Sequence, residues 1–437
     1  MNEISRLRGF NQITIPPEEP PERPRLRPRH SGPFGVLDIG TSKIVCIIAR
    51  VESDGSLRVL GSGWQKGRGV RAGAIVDIED AERAIRAAVG QAEEEAGTRL
   101  RAVLVNLSAG QPESRLLNVQ WPIGGRAVAE TDLRRVFAAA RQRASAEGRS
   151  IVHNLPLNFT VDEADGINDP RGLFCETLGA RMNVIDAVTT SLRSLDACLA
   201  RCDLEIAELV SAPMAAGMAT LTADERMLGA TVLDMGGGTT GLAVFAEGHL
   251  LYTSQIPVGG IHVTGDIAHI LHTPSAHAER LKTLFGSAQS SPDDEREMLP
   301  VPLVGEEEHQ IAKVPRSMVV RIIQPRLEET FEMVKERIEA AGLGKAALHR
   351  VVLTGGASQL PGTREMAARV FGGQVRTGRP APIRGLPDSA SGPAFATAIG
   401  LLGWAAGDGR AFHDLDPDTD TPRGVMRRVF DFLRSRL

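Results

Sequence analysis

The sequence predicts an α/β protein made of two similar halves around a cleft, with a small α+β subdomain inserted into the first half and an amphipathic helix at the C-terminus. The paired halves are predicted by a pattern that occurs twice, once around residue 38 and once around residue 234. In each case an apolar strand ends in an aspartate and then turns through glycine. A chain of 437 residues is also too long for one hydrophobic core.

The composition excludes several classes of protein. An apolar content of 42% and a charged content of 24% are typical of soluble globular proteins. The net charge of −4 gives no general attraction to nucleic acid, and we expect no nucleic-acid partner. Four cysteines are too few for a disulfide framework, which favours a reduced cytosolic compartment. No apolar run is long enough to cross a bilayer.

The stronger of the two turns follows the strand Val232–Asp234. Three glycines let the backbone approach a ligand closely, and consecutive N–H groups in such a turn form an anion-binding concavity. The pattern indicates a bound phosphate, with Asp234 ordering a hydrated Mg²⁺. A glycine-rich hairpin without a ligand is the alternative. The predicted ligand-binding residues of this turn are Gly236, Gly237, Gly238 and Thr239.

The first turn repeats this logic near the N-terminus. A strand ends in Asp38, and a second apolar run begins at Ile44. Two such hairpins suggest two like halves that clamp one nucleoside triphosphate from both sides. Neither turn ends in Gly-Lys-Ser/Thr, so neither is a P-loop. The predicted binding residues are Asp38, Gly40, Thr41, Ser42 and Lys43.

Two further motifs follow in the second half. Glu279 and Lys282 are three residues apart and share a helix face, which alone predicts only a solvated ion pair. The strand Val351–Thr354 ends in Gly355, Gly356 and Ala357, and a helix is predicted over Leu360–Phe371.

In this order the four motifs resemble those of the actin/Hsp70/sugar-kinase superfamily and, within it, the FtsA family of bacterial cell-division actin homologues. The resemblance runs from about Phe34 to the C-terminus. It implies two actin-like (ribonuclease-H-like) halves around a nucleotide cleft, with ATP and Mg²⁺ as cofactors. The two turns would grip the β- and γ-phosphates, and Asp38 and Asp234 would hold Mg²⁺ through water. The Glu279/Lys282 pair and the Gly355–Gly356 turn would flank the adenosine.

The predicted organisation begins with a disordered Pro/Arg-rich tail, residues 1–33, because alternating proline and arginine cannot bury a core. Val103–Ser108 is predicted as the strand that closes the first sheet. An acidic flexible linker, residues 405–423, precedes the terminal helix, residues 424–437. Between them we predict a first core subdomain (34–108 and 182–205), an inserted α+β subdomain (109–181), a second core subdomain (206–264 and 326–404) and a second insertion (265–325).

The resemblance also implies roles for the insertions. The family uses the first one in self-association into actin-like filaments and in contacts with later division proteins. It uses the second as the docking surface for the C-terminal tail of FtsZ, the tubulin-like ring protein. Residues 287–316, rich in Ser, Pro and Glu, are predicted as a flexible excursion from the second insertion.

The last residues have the composition of an interfacial membrane anchor. A basic amphipathic helix behind an acidic linker favours binding to an anionic membrane surface. A helix docked on the protein's own core is the alternative, and it would not need so many arginines. The predicted membrane-binding residues are Val425, Met426, Arg427, Arg428, Val429, Phe430, Phe432, Leu433, Arg434 and Leu437.

The chemistry predicted for the cleft is weak hydrolysis at best. The superfamily's working hydrolases place four acids around Mg²⁺ and the attacking water, but residues 241 and 212 of this chain are Gly and Ala. Asp234 is then the only candidate for a catalytic role in orienting water.

We therefore predict an ATP-binding cell-division protein that tethers FtsZ polymers to the membrane. Its predicted location is peripheral, on the cytoplasmic face of the inner membrane at the division site. A pilus-assembly PilM-like protein is the nearest alternative, although it would not be expected to carry the terminal basic helix. A sugar or acetate kinase would need a catalytic acid near the sugar, and no clear candidate is present.

Overall fold

The computed structural model describes residues 32–305 and 311–408. The N-terminal tail up to residue 31, residues 306–310, the rest of the predicted linker and the predicted terminal helix lie outside the described residues. The first part of the chain forms β1 (Phe34–Ile39), β2 (Lys43–Val51), β3 (Leu57–Lys66), β4 (Val70–Arg71), β5 (Ala74–Ile75), α1 (Ile78–Ala96) and β6 (Ala102–Leu107).

The inserted subdomain comes next and is a four-stranded sheet with one helix packed on it. Leu133, Val136 and Phe137 recur at helical spacing on α2 and are fully buried against the sheet. The strand order is β7-β10-β8-β9. The elements are β7 (Glu113–Ala127), α2 (Glu130–Ala144), β8 (Arg149–Val161), β9 (Ala164–Ile167) and β10 (Phe174–Val188).

The remainder of the chain first completes the first half and then builds the second half. Its elements are α3 (Thr189–Arg201), β11 (Glu205–Ser211), α4 (Ala212–Thr220), α5 (Ala223–Leu228), β12 (Ala230–Met235), β13 (Thr240–Ala246), β14 (His249–Ile256), α6 (Gly260–Ile270), α7 (Ser275–Phe285), β15 (Met298–Pro302), β16 (Ile311–Pro315), α8 (Arg316–Ala340), β17 (Arg350–Thr354), α9 (Thr363–Phe371), β18 (Gln374–Thr377) and α10 (Ala396–Gly403).

The two halves share one plan, which confirms the predicted α/β fold of two similar halves. The first sheet has the order β11-β6-β1-β2-β3 and the second β14-β13-β12-β17-β18. In each sheet, the three strands at one side are antiparallel: β1, β2 and β3 in the first sheet, and β12, β13 and β14 in the second. The two strands at the other side run parallel to β1 or β12. The Asp-containing strands β1 and β12 occupy the same central position in their sheets, so both aspartates reach the same kind of sheet end.

Several boundaries differ from the prediction. The strand predicted over Val103–Ser108 does not close the first sheet, because β11 pairs outside it in parallel after the α3 crossover. The predicted boundary at 205/206 therefore falls inside β11, and the one at 181/182 falls inside β10. The helix predicted from Leu360 begins only at Thr363, because Gly362 has a φ of 79°, which is outside the helical region.

The second insertion also contains more regular structure than predicted. Residues 287–316 were expected to form a flexible excursion, but β15 and β16 form an antiparallel pair there. Leu299 and Val301 point inward from β15 and are buried with α8, so alternate apolar residues give these strands a core-facing side. Helix α8 passes through the predicted boundary at 325/326 with Pro325 inside it. Across residues 32–305 and 311–408, we find no helix with the length and apolar character needed to span a membrane.

Helices α4 and α10 cross between the two sheets and hold the halves together. A β-carbon on Gly400 of α10 would lie only 1.8 Å from the carbonyl oxygen of Ala215 of α4, so the helices are in backbone contact. The core around them takes side chains from both sheets and also Leu155 and Ile185 from the inserted subdomain. The described residues therefore share a core that runs through both halves.

The inserted subdomain is also hydrogen-bonded to β14, the edge strand of the second sheet. The buried side chain of Asn183 donates its Nδ2 to the carbonyl of Leu250 at 2.8 Å. The backbone N–H of Thr253 donates to Ser114 Oγ at 2.9 Å. Side chains of the insertion thus satisfy backbone groups that an edge strand would otherwise expose to solvent.

Candidate nucleotide-binding cleft

A cleft of about 870 Å³ lies between the halves, where the two sheets present their Asp-Gly turns. Most of the predicted binding residues meet there, although they come from separate parts of the chain. Gly238 and Thr239 are the exceptions, because they do not line the cleft. The predicted residues in the cleft wall are Asp38, Gly40, Thr41, Ser42, Lys43, Asp234, Gly236, Gly237, Glu279, Lys282, Gly355, Gly356 and Ala357.

The two glycine turns touch each other directly. A β-carbon on Gly237 would lie 1.8 Å from Ser42 Oγ, and one on Gly238 would lie 2.4 Å from Thr41 Oγ1. Both glycines are therefore needed for the close approach of the two turns to each other, whereas their predicted approach to a ligand stays a prediction. An anion between the turns would be reached by backbone N–H groups from both halves.

The second turn is fixed by the N-terminus of α6. The backbone N–H of Gly260 donates to the carbonyl of Gly236 at 3.0 Å, and that of Ile261 donates to the carbonyl of Gly237 at 2.8 Å. These bonds satisfy two of the N–H groups that a helix start leaves without intrahelical partners. They also bind the turn to the start of the second insertion.

The two predicted metal-binding carboxylates, the buried Asp38 and the half-buried Asp234, are costly to ionise. Burial raises the pKa of Asp38 to about 7; the Lys43 charge opposes this rise and the Asp234 charge adds to it. Burial also raises the pKa of Asp234, against the hydrogen bond that Thr397 Oγ1 donates to its Oδ2 at 2.8 Å. A cation between the two carboxylates would relieve this cost.

Lys43 places a protein cation near the two aspartates. Its ammonium group donates to the carbonyl of Ala394 and lies 3.3 Å from the centre of the Phe395 ring. Burial lowers the pKa of Lys43 to about 8, although the charges of Asp38 and Asp234 oppose the shift. Lys43 belongs to the first half, so it joins that half to the segment that leads into α10.

Gly355 closes the wall behind Asp234. It has a φ of 84°, in the left-handed region that favours glycine. A β-carbon there would lie 2.5 Å from the carbonyl oxygen of Met235 and 2.6 Å from Asp234 Oδ1. The glycine pair thus permits close packing against the second turn, whereas Gly356 and Ala357 face the cleft.

Several cleft residues escaped prediction because their partners are distant in sequence. Asn106 receives the backbone N–H of Ile39 on its Oδ1 at 2.7 Å and so supports the first turn. Its signal was a lone amide inside the apolar run Val103–Leu107. Thr397, Ala394 and Lys66 also line the cleft, but no local pattern distinguishes them.

Residues 241 and 212, the two positions at which hydrolysis would need further acids, carry no carboxylate. Among the described residues, the acids that line it are Asp38, Asp234 and Glu279. A β-carbon on Gly241 would lie 2.8 Å from Pro213 Cγ, so an acid at this position would first have to displace the proline. Ala212 lines the cleft but carries no polar group.

Two five-stranded sheets of the same plan, joined by a crossing helix pair and facing each other across this cleft, define an actin-like protein. Solved structures with this fold include the PilM–PilN type IV pilus biogenesis complex, with a TM-score of 0.60, 16% identity and coverage of 88% of this chain and 99% of that one. MreB5 of Spiroplasma citri bound to ADP is a second, with a TM-score of 0.52, 14% identity and the same coverages.

The chain belongs to the FtsA family of cell division proteins. It is 42% identical to cell division protein FtsA of Rhizobium meliloti over 86% of this chain and 87% of that protein. It is 32% identical to that of Escherichia coli K12 over 84% and 88%. The family model for cell division protein FtsA matches residues 231–400, and that for the SHS2 domain inserted in FtsA matches residues 109–186. The predicted family and the first insertion are thereby confirmed.

Proposed function

We propose that the cleft binds ATP and that the protein uses it to regulate the tethering of FtsZ to the membrane. The observation that carries the ATP part is the direct contact of the two glycine turns, each with an aspartate beside it, Asp38 buried and Asp234 half-buried. That arrangement fits a polyphosphate better than a neutral ligand, because it combines backbone donors with Lys43. MreB5 of Spiroplasma citri, which has the same fold, has been solved bound to ADP and to AMPPNP.

The residues present also fit Mg²⁺. Asp38 and Asp234 are two carboxylates whose pKa values are raised mainly by burial, so a divalent cation would offset the cost of their ionised forms. When bound, the ion would neutralise negative charge on the phosphates. Thr397 would hold Asp234 in one orientation, and Lys43 would exchange the Ala394 carbonyl for a phosphate oxygen.

Hydrolysis should be slow, because residues 241 and 212 carry no carboxylate and Asp234 is left as the candidate for orienting water. Glu279 lies on α7 and accepts a hydrogen bond from Lys282. We expect a turnover well below about 1 s⁻¹, the lower end of the usual enzyme range, even with FtsZ and lipid present. Phosphate release above that rate would show that another group positions the water.

The docking surface proposed for the FtsZ C-terminal tail lies on the second insertion. Ile270, Val304 and Ile311 expose 48%, 63% and 57% of their surface. They are brought together because the backbone N–H of Val304 donates to the carbonyl of His272 and Ile311 pairs with Pro302. Exposed apolar side chains grouped in this way favour a protein contact.

The test is co-sedimentation of the full chain with anionic liposomes and FtsZ, with and without ATP. Wild-type protein should bring FtsZ down with the lipid. Val304→Glu together with Ile270→Glu should keep ATP and liposome binding but lose FtsZ, because two charges would face the apolar tail. Leu228→Glu, at an exposed position on α5 outside both insertions, is the matched control and should behave as wild type. Equal FtsZ recovery in all three proteins would refute this docking surface.

The proposed location is the cytoplasmic face of the membrane at the division site, with the terminal amphipathic helix as the anchor. Filament formation and contacts with later division proteins through the first insertion belong to the same proposal. The pilus-assembly alternative shares only the fold with this chain at 16% identity. The cleft does not support the kinase alternative, because the acids that line it among the described residues are the two aspartates and Glu279.

A further inference from the structure

Lys66 is a cation of the cleft wall that belongs to none of the four predicted motifs. It is the last residue of β3, it is exposed, and it lines the cleft between the halves. In the part of the chain that the structure describes, its ammonium group makes no hydrogen bond and no ion pair. A lysine ammonium binds phosphate as a point charge. Lys66 therefore has its charge available to an anion in the cleft.

The backbone next to Lys66 is fixed to the first turn. The N–H group of Gly67 donates to the carbonyl of Ser42 at 2.8 Å. A β-carbon on Gly67 would lie 2.4 Å from the carbonyl oxygen of Thr41 and 2.7 Å from that of Gly40, so the two segments are in backbone contact. Lys66 therefore extends from a segment that is held directly beside the turn proposed to bind phosphate.

Lys66 also lies directly opposite Lys43 in the antiparallel pair of β2 and β3. Side chains opposite each other in such a pair share one face of the sheet, and like charges placed in this way are destabilising. The charges of Asp38 and Asp234 act on Lys43, whereas among the described residues no carboxylate lies within ion-pairing distance of Lys66. A ligand with several negative charges beside the two lysines would offset their repulsion.

The charge of Lys66 also reaches the opposite wall of the cleft. Burial raises the pKa of Glu279 on α7, and the hydrogen bonds from Lys282 and Thr264 lower it. The charges of Lys282 and Lys66 lower it further, to a pKa below its usual value. Lys66 belongs to the first half and Glu279 to the second insertion. The field of Lys66 therefore extends across the space in which the polyphosphate is proposed to lie.

The number of phosphates in the ligand decides how much a second lysine contributes. The backbone N–H groups of the two turns and the buried Lys43 can serve any phosphate held between the turns. An exposed ammonium group adds attraction in proportion to the charge that it faces, without a preferred geometry. The ligand that gains most from Lys66 is therefore a triphosphate, because its terminal phosphate adds negative charge that a diphosphate lacks.

We propose that Lys66 binds the terminal phosphate of the nucleotide and so makes the cleft prefer a nucleoside triphosphate to a diphosphate. This inference rests on the proposed binding of ATP, and it adds a residue outside the motifs on which that proposal depends. Because hydrolysis is expected to be slow, such a preference makes the nucleotide in the cleft follow the ratio of ATP to ADP in the cell.

The experiment measures the dissociation constants of AMPPNP and of ADP, each with Mg²⁺, for the full chain. AMPPNP replaces ATP so that turnover does not change the ligand. Wild-type protein should bind AMPPNP more tightly than ADP. Lys66→Met should weaken AMPPNP roughly tenfold, the effect of losing one hydrogen bond to a charged group, and ADP by no more than about twofold. Lys66→Arg keeps the charge and should keep the preference.

Arg68→Met is the matched control, because it removes a positive charge two residues further along, at an exposed position outside the cleft. It should bind both nucleotides as wild type does. Raised salt should reduce the difference between the wild-type protein and Lys66→Met, because an exposed charge is screened. Without nucleotide, Lys66→Met should melt no lower than the wild-type protein, since it removes one of two like charges that lie opposite each other.

Three results would overturn the inference while leaving the proposed function intact. In the first, Lys66→Met weakens AMPPNP and ADP by the same factor, which would mean that Lys66 acts on the cleft as a whole, as by pairing with Glu279 across it. In the second, neither dissociation constant changes. In the third, Lys66→Arg loses the preference as fully as Lys66→Met does. Absence of nucleotide binding by the wild-type protein would overturn the proposed function and this inference together.

Discussion

At the scale of single residues, Asp38 is a group whose ionisation weakens the unliganded protein. Its carboxyl is buried, and burial raises its pKa from 3.8 to about 7. An acid whose folded-state pKa is raised contributes stability below its unfolded pKa, and this contribution is lost as the pH rises through the folded pKa. Function and stability therefore conflict at this position.

Asp38→Asn should consequently stabilise the protein at neutral pH when nucleotide and Mg²⁺ are absent. The gain in the free energy of unfolding should be near zero at about pH 4 and reach at most roughly 4 kcal/mol above pH 7, at about 1.4 kcal/mol for each pKa unit. Urea unfolding between pH 4 and 7 measures it, because Lys43, with a pKa of about 8, keeps most of its charge over this range. Asp224→Asn, on an exposed helix start, is the control. A gain that is the same at all pH values would contradict this account.

Gly237→Val should abolish tight ATP binding without unfolding the chain. The new side chain would occupy the space of Ser42 Oγ, 1.8 Å from the β-carbon position, and would push the two turns apart. We expect a loss of affinity of at least tenfold by calorimetry. Gly90→Val is the control, since nothing lies within 4 Å of its β-carbon position. If both variants bound ATP normally, the glycines would have only a local conformational role.

The residues of these turns were predictable because their chemistry is local in sequence. A strand, an acid and a glycine within a few positions are enough to indicate a phosphate turn. Asn106 and Thr397 were not predictable in this way, because they support Ile39 and Asp234 across separations of 67 and 163 residues. Only the folded topology brings such pairs together.

At the scale of elements, the crossing of α4 and α10 is a close backbone contact that a single substitution can test. Gly400→Ala would place a methyl group 1.8 Å from the Ala215 carbonyl oxygen. Overpacking of this kind typically costs about 1–3 kcal/mol. We expect a lower melting temperature and weaker ATP binding, because the crossing also fixes the angle between the halves. Gly392→Ala, with nothing within 4 Å of its β-carbon position, should leave both unchanged. Unaltered melting of Gly400→Ala would mean that the helices separate without cost.

The terminal helix lies outside the described residues and stays a prediction from sequence. Truncation after Pro422 should leave a protein that binds ATP and FtsZ but no longer recruits FtsZ to liposomes. Burial of one large apolar side chain contributes about 1.5–3 kcal/mol, and each arginine near anionic headgroups adds roughly 1 kcal/mol. Phe430→Glu should act like the truncation, whereas replacing Arg427 and Arg428 by Ser should weaken binding mainly to anionic lipid. Flotation of the truncated chain at the wild-type level would place the anchor elsewhere.

Element boundaries were predicted less well than element types. The start of α9 was placed too early because the apolar pattern begins at Leu360, whereas the backbone of Gly362 prevents an earlier helix. The β15–β16 pair was missed because its prolines indicate a loop. Pro300 and Pro302 nevertheless fit a two-stranded sheet, in which each strand has an edge that needs no donor.

At the scale of the whole molecule, the strand–Asp–Gly pattern that occurs twice in the sequence predicted the two halves, but not how far they share a core. Strands of both sheets, the crossing helices and the first insertion contribute to one apolar cluster. A repeated motif reports similar local structure and carries no information about such packing between repeats. The halves are thus joined by packing as well as by the chain.

Binding of a nucleotide across that cleft should stabilise the entire molecule. A ligand that binds only the folded state adds about 2.7 kcal/mol at a concentration one hundred times its dissociation constant. Mg²⁺-ATP should therefore raise the melting temperature of the wild-type chain in a single transition. The Gly237→Val variant should show little of this rise, and separate melting of two parts would contradict a shared core.

The hydrogen bonds that Asn183 donates to β14 and that Ser114 accepts from it have a consequence for how the protein can be dissected. They cover a strand edge that, once bare, would offer its backbone groups to other chains and favour aggregation. Deleting residues 109–186 would uncover that edge and remove Leu155 and Ile185 from the core at the same time. Solubility would then be lost before any role of the insertion in division could be measured. A replacement insertion taken from a relative would have to bring an amide and a hydroxyl at these two places.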